Sequence, residues 1–262
     1  MSGYQVLRED IEVDGRRIET VRYIGSRQST IVMLHEGLGS VSTWKDFPER
    51  VSTATRCDVL VYSRYGHGNS ERLAEKRAVD FMHHEAWVVL PELLKRFAIR
   101  SPILLGHSDG ASIALIYAGT AKEKPAGLIL EAPHVLVEEM TVASIAAIGT
   151  AYKAGDLQTK FARHHAHADE MFWGWNDAWL DPQFRDWNIE EYLGAIPCPI
   201  LVIQGEQDEY GSGAQIRAIE AAASQTESLL LANCGHAPHR DQPERTLDAI
   251  VKFVSTLSKR TD

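Results

Sequence analysis

A serine between two glycines, in the stretch Gly106-His107-Ser108-Asp109-Gly110, is the part of the sequence that points most directly to chemistry. The apolar run Ile103 to Leu105 before it predicts a buried strand, and the run Ala111 to Ala118 after it predicts a helix. A serine on so sharp a strand-to-helix turn forms a nucleophile elbow, with its hydroxyl exposed at the carboxyl edge of a sheet. The flanking glycines permit the close packing that the turn requires.

Nucleophilic catalysis by Ser108 also requires a base within hydrogen-bond reach and a third group that orients the base, because serine is a weak nucleophile at its ordinary pKa. Asp208 follows the predicted strand Ile200 to Gln204, and His236 follows the next one, Ser228 to Leu231. Residues just past the carboxyl ends of parallel strands meet at one edge of a sheet. The order Ser108, Asp208, His236 therefore predicts a catalytic triad.

Two other residues compete for these roles. Glu131 ends an earlier predicted strand, and a carboxylate there can also reach the histidine, but its position favours Asp208 as the acid. His239 competes with His236, which alone follows a glycine in the pattern that suits the base.

Short apolar runs alternate with helical patterns along the chain and predict an α/β protein. The predicted strands are Tyr4 to Leu7, Arg17 to Tyr23, Ile31 to Leu34, Val59 to Tyr62, Ile103 to Leu105, Gly127 to Glu131, Ile200 to Gln204 and Ser228 to Leu231. The first two flank the turn signal Asp14-Gly15 and predict an antiparallel hairpin at the sheet edge. The others are almost continuously apolar, as in a parallel sheet covered on both faces. The clearest predicted helices are Val79 to Phe97, Ser108 to Gly119, Ala214 to Ala223 and Glu244 to Leu257.

The alternation breaks between Pro133 and Ile196, where about sixty residues separate two strands that a short helix would normally join. We therefore expect a core domain of residues 1–132 and 197–262, with residues 133–196 inserted as a helical lid. The insert is rich in aromatic residues, and aromatic side chains commonly form the apolar walls of substrate pockets. Trp173, Trp175 and Trp179 are the insert residues that we expect to contact substrate.

The composition of the 262 residues is that of a globular domain, with 44% hydrophobic and 24% charged residues. A net charge of -9 argues against nucleic acid or an anionic membrane as partner, so we expect a small-molecule substrate. The charged N-terminal stretch and the absence of any apolar run of about 18 residues predict a cytoplasmic protein. The sequence leaves a homodimer open.

Three histidines and one aspartate in the insert have spacings that could hold a metal. They are His164, His165, His167 and Asp169. An exposed polar helix face explains the same pattern more simply, and the three cysteines show no paired spacing that would indicate a zinc site. We therefore expect neither a metal nor another cofactor.

These segments resemble the α/β-hydrolase superfamily over nearly the full length of the chain. The matching pieces are Leu34 to Gly39, Tyr62 to Ser70, the elbow at Ser108, the loop at Asp208 and the pair Gly235-His236. The resemblance implies an α/β-hydrolase fold: a mostly parallel eight-stranded sheet with helices on both faces and an inserted helical lid. It further implies that His236 accepts the serine proton, that Asp208 holds the imidazole, and that water hydrolyses an acyl-enzyme.

The resemblance also implies where the oxyanion of the reaction would bind. The backbone NH of Asp109 is the first expected donor, and the alignment of the loop after Leu34 makes Gly37 the second, with Leu38 as the alternative. Glu36 stands where similar enzymes usually carry glycine, and Asp109 places an acidic side chain beside the nucleophile. We expect Asp109 or Glu36 to pair either with a cationic or hydroxyl-bearing substrate group or, more simply, with Arg64 or another internal base. Glu36 and Leu38 thus join the candidate substrate contacts.

A serine hydrolase that cleaves an ester, thioester or lactone is the function that these residues predict best. Carbon-carbon bond hydrolases of ring-cleavage pathways share the implied fold, triad and lid and form the alternative, with haloperoxidase-like members a weaker case. A small-molecule receptor on the same fold is the non-enzymatic alternative. Ser108 argues against the dehalogenases and epoxide hydrolases of this fold, whose nucleophile is a carboxylate.

Overall fold

The computed structural model describes residues 5–26 and 29–258. Within these residues, eight strands form one sheet in the order β1-β2-β4-β3-β5-β6-β7-β8. The strands are β1 Gln5–Val13, β2 Arg16–Ile24, β3 Thr30–Leu34, β4 Asp58–Tyr62, β5 Ile103–His107, β6 Gly127–Glu131, β7 Ile200–Gly205 and β8 Thr226–Leu231. Strand β2 runs antiparallel to β1 and β4, and all other neighbours are parallel. The predicted α/β fold is confirmed.

Helices fill most of the connections between the strands. They are α1 Phe47–Thr55, α2 Phe81–His84, α3 Leu90–Arg96, α4 Asp109–Thr120, α5 Glu139–Lys153, α6 Asp156–Phe161, α7 Ala168–Trp179, α8 Glu190–Leu193, α9 Gly213–Ala222, α10 Pro238–Asp241 and α11 Pro243–Ser258. A π-helical turn, Glu85–Val89, joins α2 to α3, so the single helix predicted for this region contains a local change of winding.

The hairpin at the edge of the sheet follows from its turn residues. Asp14 and Gly15 both have positive φ, 52° and 67°, as a two-residue turn between twisted antiparallel strands requires. Val13 pairs with Arg16 directly across this turn. Strand β1 extends to Val13, well beyond the predicted end at Leu7, and the predicted start at Tyr4 lies outside the described residues.

Both faces of the sheet are covered, which explains the continuous apolar runs of its central strands. Leu60, Leu104 and Val202 belong to an apolar cluster on one face, which includes much of α4. Their neighbours Val59, Ile103 and Leu201 belong to a second cluster on the other face, with residues of α1 and α11. Because side chains alternate across a strand, both residue sets must be apolar.

Helices α5 to α8 lie in the chain between β6 and β7, within the segment that the sequence assigns to the insert. An isolated antiparallel bridge between Leu136 and Asn188 joins the beginning of this segment to its end. Tyr152 of α5 stacks on Phe172 of α7 with ring centroids 3.7 Å apart, and the Asn176 amide donates to the Ile145 carbonyl at 2.9 Å. The insert thus has internal packing of its own. None of the described helices is long and apolar enough to cross a membrane.

Candidate active site

Ser108 occupies a strained turn between β5 and α4. Its φ of 54° and ψ of -118° lie outside the conformations that non-glycine residues ordinarily adopt. A Cβ on Gly106 would lie 2.4 Å from the Gly110 carbonyl oxygen, and one on Gly110 would lie 2.1 Å from the Leu34 carbonyl oxygen. Glycine at both positions is therefore required for strand, turn and helix to pack this closely.

The side chains of Ser108, His236 and Asp208 form a continuous chain of hydrogen bonds. The His236 Nε2 atom lies 2.9 Å from Ser108 Oγ, and His236 Nδ1 lies 2.8 Å from Asp208 Oδ1. Burial would raise the pKa of Asp208, but the hydrogen bond to His236 and that ring's charge hold the pKa below its ordinary value. An ionised carboxylate only accepts, so Nδ1 carries the proton and Nε2 is free to accept from the serine hydroxyl.

The loop after β7 holds the Asp208 carboxylate in place. Its Oδ1 atom accepts hydrogen bonds from the backbone NH groups of Tyr210, at 2.8 Å, and Gly211, at 3.2 Å. The Gln204 side-chain amide donates to Oδ2 at 3.2 Å. The acid, and through it the His236 ring, is therefore fixed by partners that belong to the strand end and its loop.

Glu131 and His239, the competing acid and base, pair with each other instead. The Glu131 Oε2 atom accepts from His239 Nδ1 at 2.7 Å and from the His239 backbone NH at 3.1 Å. Both residues are buried, and the indole of Trp44 lies against the His239 ring at a centroid distance of 4.6 Å. This pair joins the end of β6 to α10, while His236 remains with Asp208.

A cavity of about 440 Å³ opens over Ser108. Of the residues expected to contact substrate or bind the oxyanion, those that line it are Glu36, Gly37, Leu38, Asp109, Trp175 and Trp179. Trp173 does not line the cavity; its ring packs edge-on against Tyr152 and Phe172. The structure thus places Trp173 away from this cavity, contrary to the expectation, because residues 173 and 175 point to different sides of α7.

The Asp109 carboxylate is engaged by internal partners. The Trp179 indole NH donates to Asp109 Oδ1 at 3.1 Å, and Arg64 Nη2 lies 3.7 Å from Asp109 Oδ2. The side chains of Asp109 and Arg64 are only 2% and 1% exposed. Burial raises the pKa of Asp109, and the Arg64 charge opposes that rise. These contacts support the interpretation in which Asp109 pairs with groups of the protein itself rather than with the substrate.

The Glu36 carboxylate likewise lies next to a side chain of the protein, that of His107. Its Oε2 atom lies 3.5 Å from His107 Nδ1, and His107 Nε2 donates to the His236 carbonyl oxygen at 2.7 Å. Burial would lower the pKa of His107, but the Glu36 carboxylate raises it above the ordinary value, while His107 holds the pKa of Glu36 well below its usual range. His107 therefore lies between the Glu36 carboxylate and the backbone of His236, and its hydrogen bond joins the elbow to the His236 loop.

The loop at Gly37 and the first residue of α4 meet at the serine end of the cavity. The Asp109 NH lies in the first turn of α4, where NH groups lack partners within the helix. The loop is held by His67 Nε2, which donates to the Gly37 carbonyl at 3.0 Å, and by Arg64 Nη2, which donates to the Glu36 carbonyl at 2.8 Å. Trp175 packs so closely that a Cβ on Gly37 would lie 1.9 Å from its indole nitrogen.

His134 also lines the cavity, and sequence reasoning missed it. Its ring lies 5.5 Å from that of His236 and 5.4 Å from that of Trp179. Its Nδ1 atom is buried and has no hydrogen-bond partner among the described residues. Burial, together with the nearby His236, lowers the pKa of His134 to about 3, so the ring is neutral. His134 follows the carboxyl end of β6, the kind of position that pointed to Asp208 and His236.

The histidines considered for a metal site have other contacts. His165 is buried, accepts from the Gly68 NH at 2.9 Å through Nδ1, and donates to the Leu38 carbonyl at 3.0 Å through Nε2. The His164 Nδ1 atom lies 2.8 Å from Ser42 Oγ. The exposed helix face expected here is wrong for His165, which lies in the turn between α6 and α7. The described residues contain no cluster of three or more ligands that could hold a metal ion.

Known proteins share this architecture. The model of the Alpha/beta hydrolase family matches residues 31–249. A proline iminopeptidase of Lactobacillus crispatus (strain ST1) is 22% identical, with 89% of this chain and 93% of that protein covered. A proline iminopeptidase of Saccharolobus solfataricus is 23% identical, with 98% and 96% covered. The structure of 2-hydroxy-6-oxo-6-phenylhexa-2,4-dienoate hydrolase from Rhodococcus sp. strain RHA1 has a TM-score of 0.80 at 14% identity, covering 95% of this chain and 99% of that one. Because the family match includes the elbow and the Asp208 and His236 loops, the chain belongs to the alpha/beta hydrolase family.

Proposed function

We propose that this hydrolase cleaves a small ester, thioester or lactone through an acyl-enzyme on Ser108. The observation that carries the proposal is the chain of hydrogen bonds from Ser108 through His236 to Asp208, at 2.9 and 2.8 Å, on the floor of a cavity. This is the geometry that makes a serine hydroxyl nucleophilic.

In the first half of the reaction, Ser108 Oγ attacks the substrate carbonyl carbon and His236 Nε2 takes the hydroxyl proton. The ionised Asp208 stabilises the imidazolium that forms. His236 then passes the proton to the leaving alcohol, thiol or ring oxygen, and Ser108 holds the acyl group. In the second half, His236 removes a proton from water and the hydroxide attacks the acyl carbon. The bond to Ser108 Oγ then breaks as His236 returns the proton to that oxygen, which releases the carboxylic acid and free Ser108.

The backbone NH groups of Asp109 and Gly37 are the oxyanion donors in this proposal, with Leu38 as the alternative to Gly37. Both residues line the cavity beside Ser108, and each lies in a segment whose position is fixed by several buried contacts. Donors that are held in place before the reaction stabilise developing charge without reorganising, and losing one typically costs about 10² to 10³ in rate.

The insert acts as the lid in this proposal, because it supplies the cavity walls Trp175 and Trp179. Trp179 also bonds Asp109 beside the nucleophile, and Trp175 packs on the Gly37 loop. The lid would thereby shape the acyl site and support the groups that surround Ser108.

A peptidase is the second function to test, since two relatives are named proline iminopeptidase. A substrate with a free N-terminal proline presents a protonated amine, which a free carboxylate would bind. Asp109 is engaged by Trp179 and Arg64, and Glu36 by His107, so Glu209 is the cavity-lining carboxylate left for an amine within the described residues. These contacts favour an esterase over the peptidase.

The deciding experiment is labelling with a fluorophosphonate probe, combined with turnover of a substrate panel. The panel contains 4-nitrophenyl esters of increasing acyl length, a thioester, a lactone, prolyl 4-nitroanilide and a vinylogous diketone that reports carbon-carbon cleavage. We expect labelling that Ser108→Ala abolishes, and fastest turnover among the esters, thioester and lactone. Folded protein that neither labels nor turns over any panel member would support the receptor instead, and preferred cleavage of the diketone or anilide would replace the esterase assignment.

Ser108→Ala and His236→Ala should each lower kcat by about 10⁴ or more, because the two residues act in one proton transfer. The double variant should be scarcely slower than either single variant. Initial rates with the best ester of the panel, on samples with matched circular dichroism spectra, measure this. Losses that multiply in the double variant would show that the two side chains act independently.

A further inference from the structure

The rim of the cavity carries a charge opposite to that of the whole chain. The cavity-lining residues that are exposed are Lys45, Lys160, Arg163, Glu209 and Arg240, whereas Ser108, Asp109 and His134 on its floor are buried. The described rim thus has four cations and one carboxylate, on a chain of net charge -9. A cationic entrance raises the local concentration of anions and disfavours cations.

These cations come from separate segments that the fold brings together. Lys45 follows the short 3₁₀ turn Val41–Trp44, Lys160 and Arg163 lie at the end of α6 and just after it, and Arg240 lies in α10. No described carboxylate forms an ion pair with any of them. Attraction to the carboxyl end of a helix can account for Lys160 and Arg240, which lie in the last turns of α6 and α10, but not for Lys45.

Lys45 also has a strained backbone. Its φ of 54° and ψ of -124° fall in nearly the same region as those of Ser108, at 54° and -118°. Strain of this kind at a non-glycine residue persists only where the surroundings enforce it, and it concentrates at functional sites. Here Ser42 Oγ bonds His164 Nδ1 at 2.8 Å, which fastens the turn before Lys45 to the loop that carries Arg163.

The carboxylates deeper in the cavity do not cancel the positive charge of the rim that a ligand would meet. Asp109 lies beside the Arg64 guanidinium, and Glu36 lies beside His107, so each carboxylate already has a basic side chain of the protein next to it. A substrate that reaches from Ser108 to the rim therefore meets an excess of unpaired positive charge.

We propose that the natural substrate is an anion, whose carboxylate or phosphate group is bound at the rim by Lys45, Lys160, Arg163 and Arg240 while its ester carbonyl lies at Ser108. This proposal rests on the hydrolase function proposed above and specifies its substrate class. The charged group stays outside the apolar part of the cavity, where water and the flexible cations solvate it together.

Matched pairs of esters that differ only in charge test the proposal. One pair places the charge on the acyl side: 4-nitrophenyl hydrogen suberate and its methyl ester. Another places it on the leaving group: 4-acetoxybenzoate and methyl 4-acetoxybenzoate, with 4-acetoxyphenyl phosphate as the phosphate member. We expect the anionic member of at least one pair to have about tenfold higher kcat/KM at about 10 mM salt, and most of this advantage to vanish at about 1 M salt.

Lys160→Gln/Arg163→Gln should lower the ratio of anionic to neutral kcat/KM severalfold. The ratio does not depend on how much of the sample is folded. Arg217→Gln is the control, because Arg217 is an exposed cation of α9 that does not line the cavity, and its ratio should match wild type. A ratio near one in every pair, or a ratio unchanged by the double variant, overturns the anion proposal while Ser108 labelling and ester turnover leave the hydrolase proposal standing. Absence of both labelling and turnover overturns the hydrolase proposal and this one with it.

Discussion

At the scale of single residues, the unusual feature of this hydrolase is the density of buried charge around Ser108. Asp109 lies beside Arg64, and Glu36 beside His107, whose pKa the Glu36 carboxylate raises against the effect of burial. Each carboxylate stands close to the place where an oxyanion would form, and each has a basic side chain next to it. The pairs let acidic residues occupy these positions because a buried charge without a partner is strongly destabilising.

Asp109→Asn should lower the free energy of unfolding by about 3 kcal/mol, since it leaves the buried Arg64 without its counter-ion. The preference between amine-bearing and neutral esters should stay unchanged, because the carboxylate serves Arg64 and Trp179. Urea unfolding and paired kcat/KM measurements check both points. Glu139→Gln, at an exposed ion pair with Arg185, is the control and should change little. A change in the ratio of kcat/KM for amine-bearing over neutral esters in Asp109→Asn would instead assign the side chain to substrate recognition.

Gly37→Ala should lower kcat/KM by about 10² to 10³, because a Cβ there would overlap the Trp175 indole and shift the proposed oxyanion donor. Gly194→Ala is the matched control, since no atom lies within 4 Å of the added Cβ. Steady-state kinetics with one neutral ester compares them. Combining Gly37→Ala with Trp175→Ala removes the overlap and should restore part of the rate. Wild-type activity in Gly37→Ala would contradict the proposed role of this loop.

At the scale of elements, the strand ends and helix α7 each supply a different part of the candidate site. The segments after β5, β7 and β8 carry Ser108, Asp208 and His236, and parallel pairing brings them to one edge of the sheet. Helix α7 then presents Trp175 and Trp179 to the same edge from the insert. In the proposed mechanism the chemistry therefore comes from the strand ends of the sheet, while residues of α7 form part of the cavity wall.

Trp175→Ala should enlarge the cavity and raise the ratio of kcat/KM for long over short acyl chains by about tenfold. The substitution should also cost about 3 to 5 kcal/mol of stability, because Trp175 is largely buried. Trp173→Ala is the control on the same helix; its ring lies outside the cavity, so it should lower stability without changing the ratio. Equal ratios in the two variants would show that α7 does not determine acyl preference.

At the scale of the whole molecule, buried carboxylates should make the fold sensitive to acid. The Glu131 carboxyl would have a raised pKa from burial alone, but the charge of His239 holds the pKa below its ordinary value, and Asp208 and Glu36 have lowered pKa values for similar reasons. The unfolded chain, where carboxyl pKa values are about 4, then binds more protons than the folded one, so stability falls as the pH drops below about 4.

Urea unfolding between pH 7 and pH 3.5 checks this expectation. The free energy of unfolding should begin to fall below about pH 6.5, where the histidines of the unfolded chain take up protons that the buried, neutral His134 does not, and should fall more steeply below about pH 4. Glu131→Gln should be less stable at neutral pH and should show a shallower decline in acid, because one of the groups that take up protons is gone. Glu12→Gln, at an exposed position of β1, should keep the wild-type slope. A wild-type slope in Glu131→Gln would mean that this buried pair does not contribute to acid unfolding.

The sequence by itself determined the α/β architecture, the elbow at Ser108 and the succession of Asp208 and His236. Each depends on local causes: apolar runs of strand length, helical spacing, turn residues, and the rule that parallel strands end at one edge. The edge hairpin was predicted for the same reason, from Asp14 and Gly15.

Only the tertiary structure decided which side chains contact one another in and around the cavity. The pairing of Glu131 with His239, the neutral His134 in the cavity wall, and the separation of Trp173 from Trp175 depend on how the loops and the insert pack on the core. The cationic rim arises in the same way, from three segments that lie far apart in the chain and share one opening. Such contacts leave no local pattern, because their partners are set by packing between distant segments.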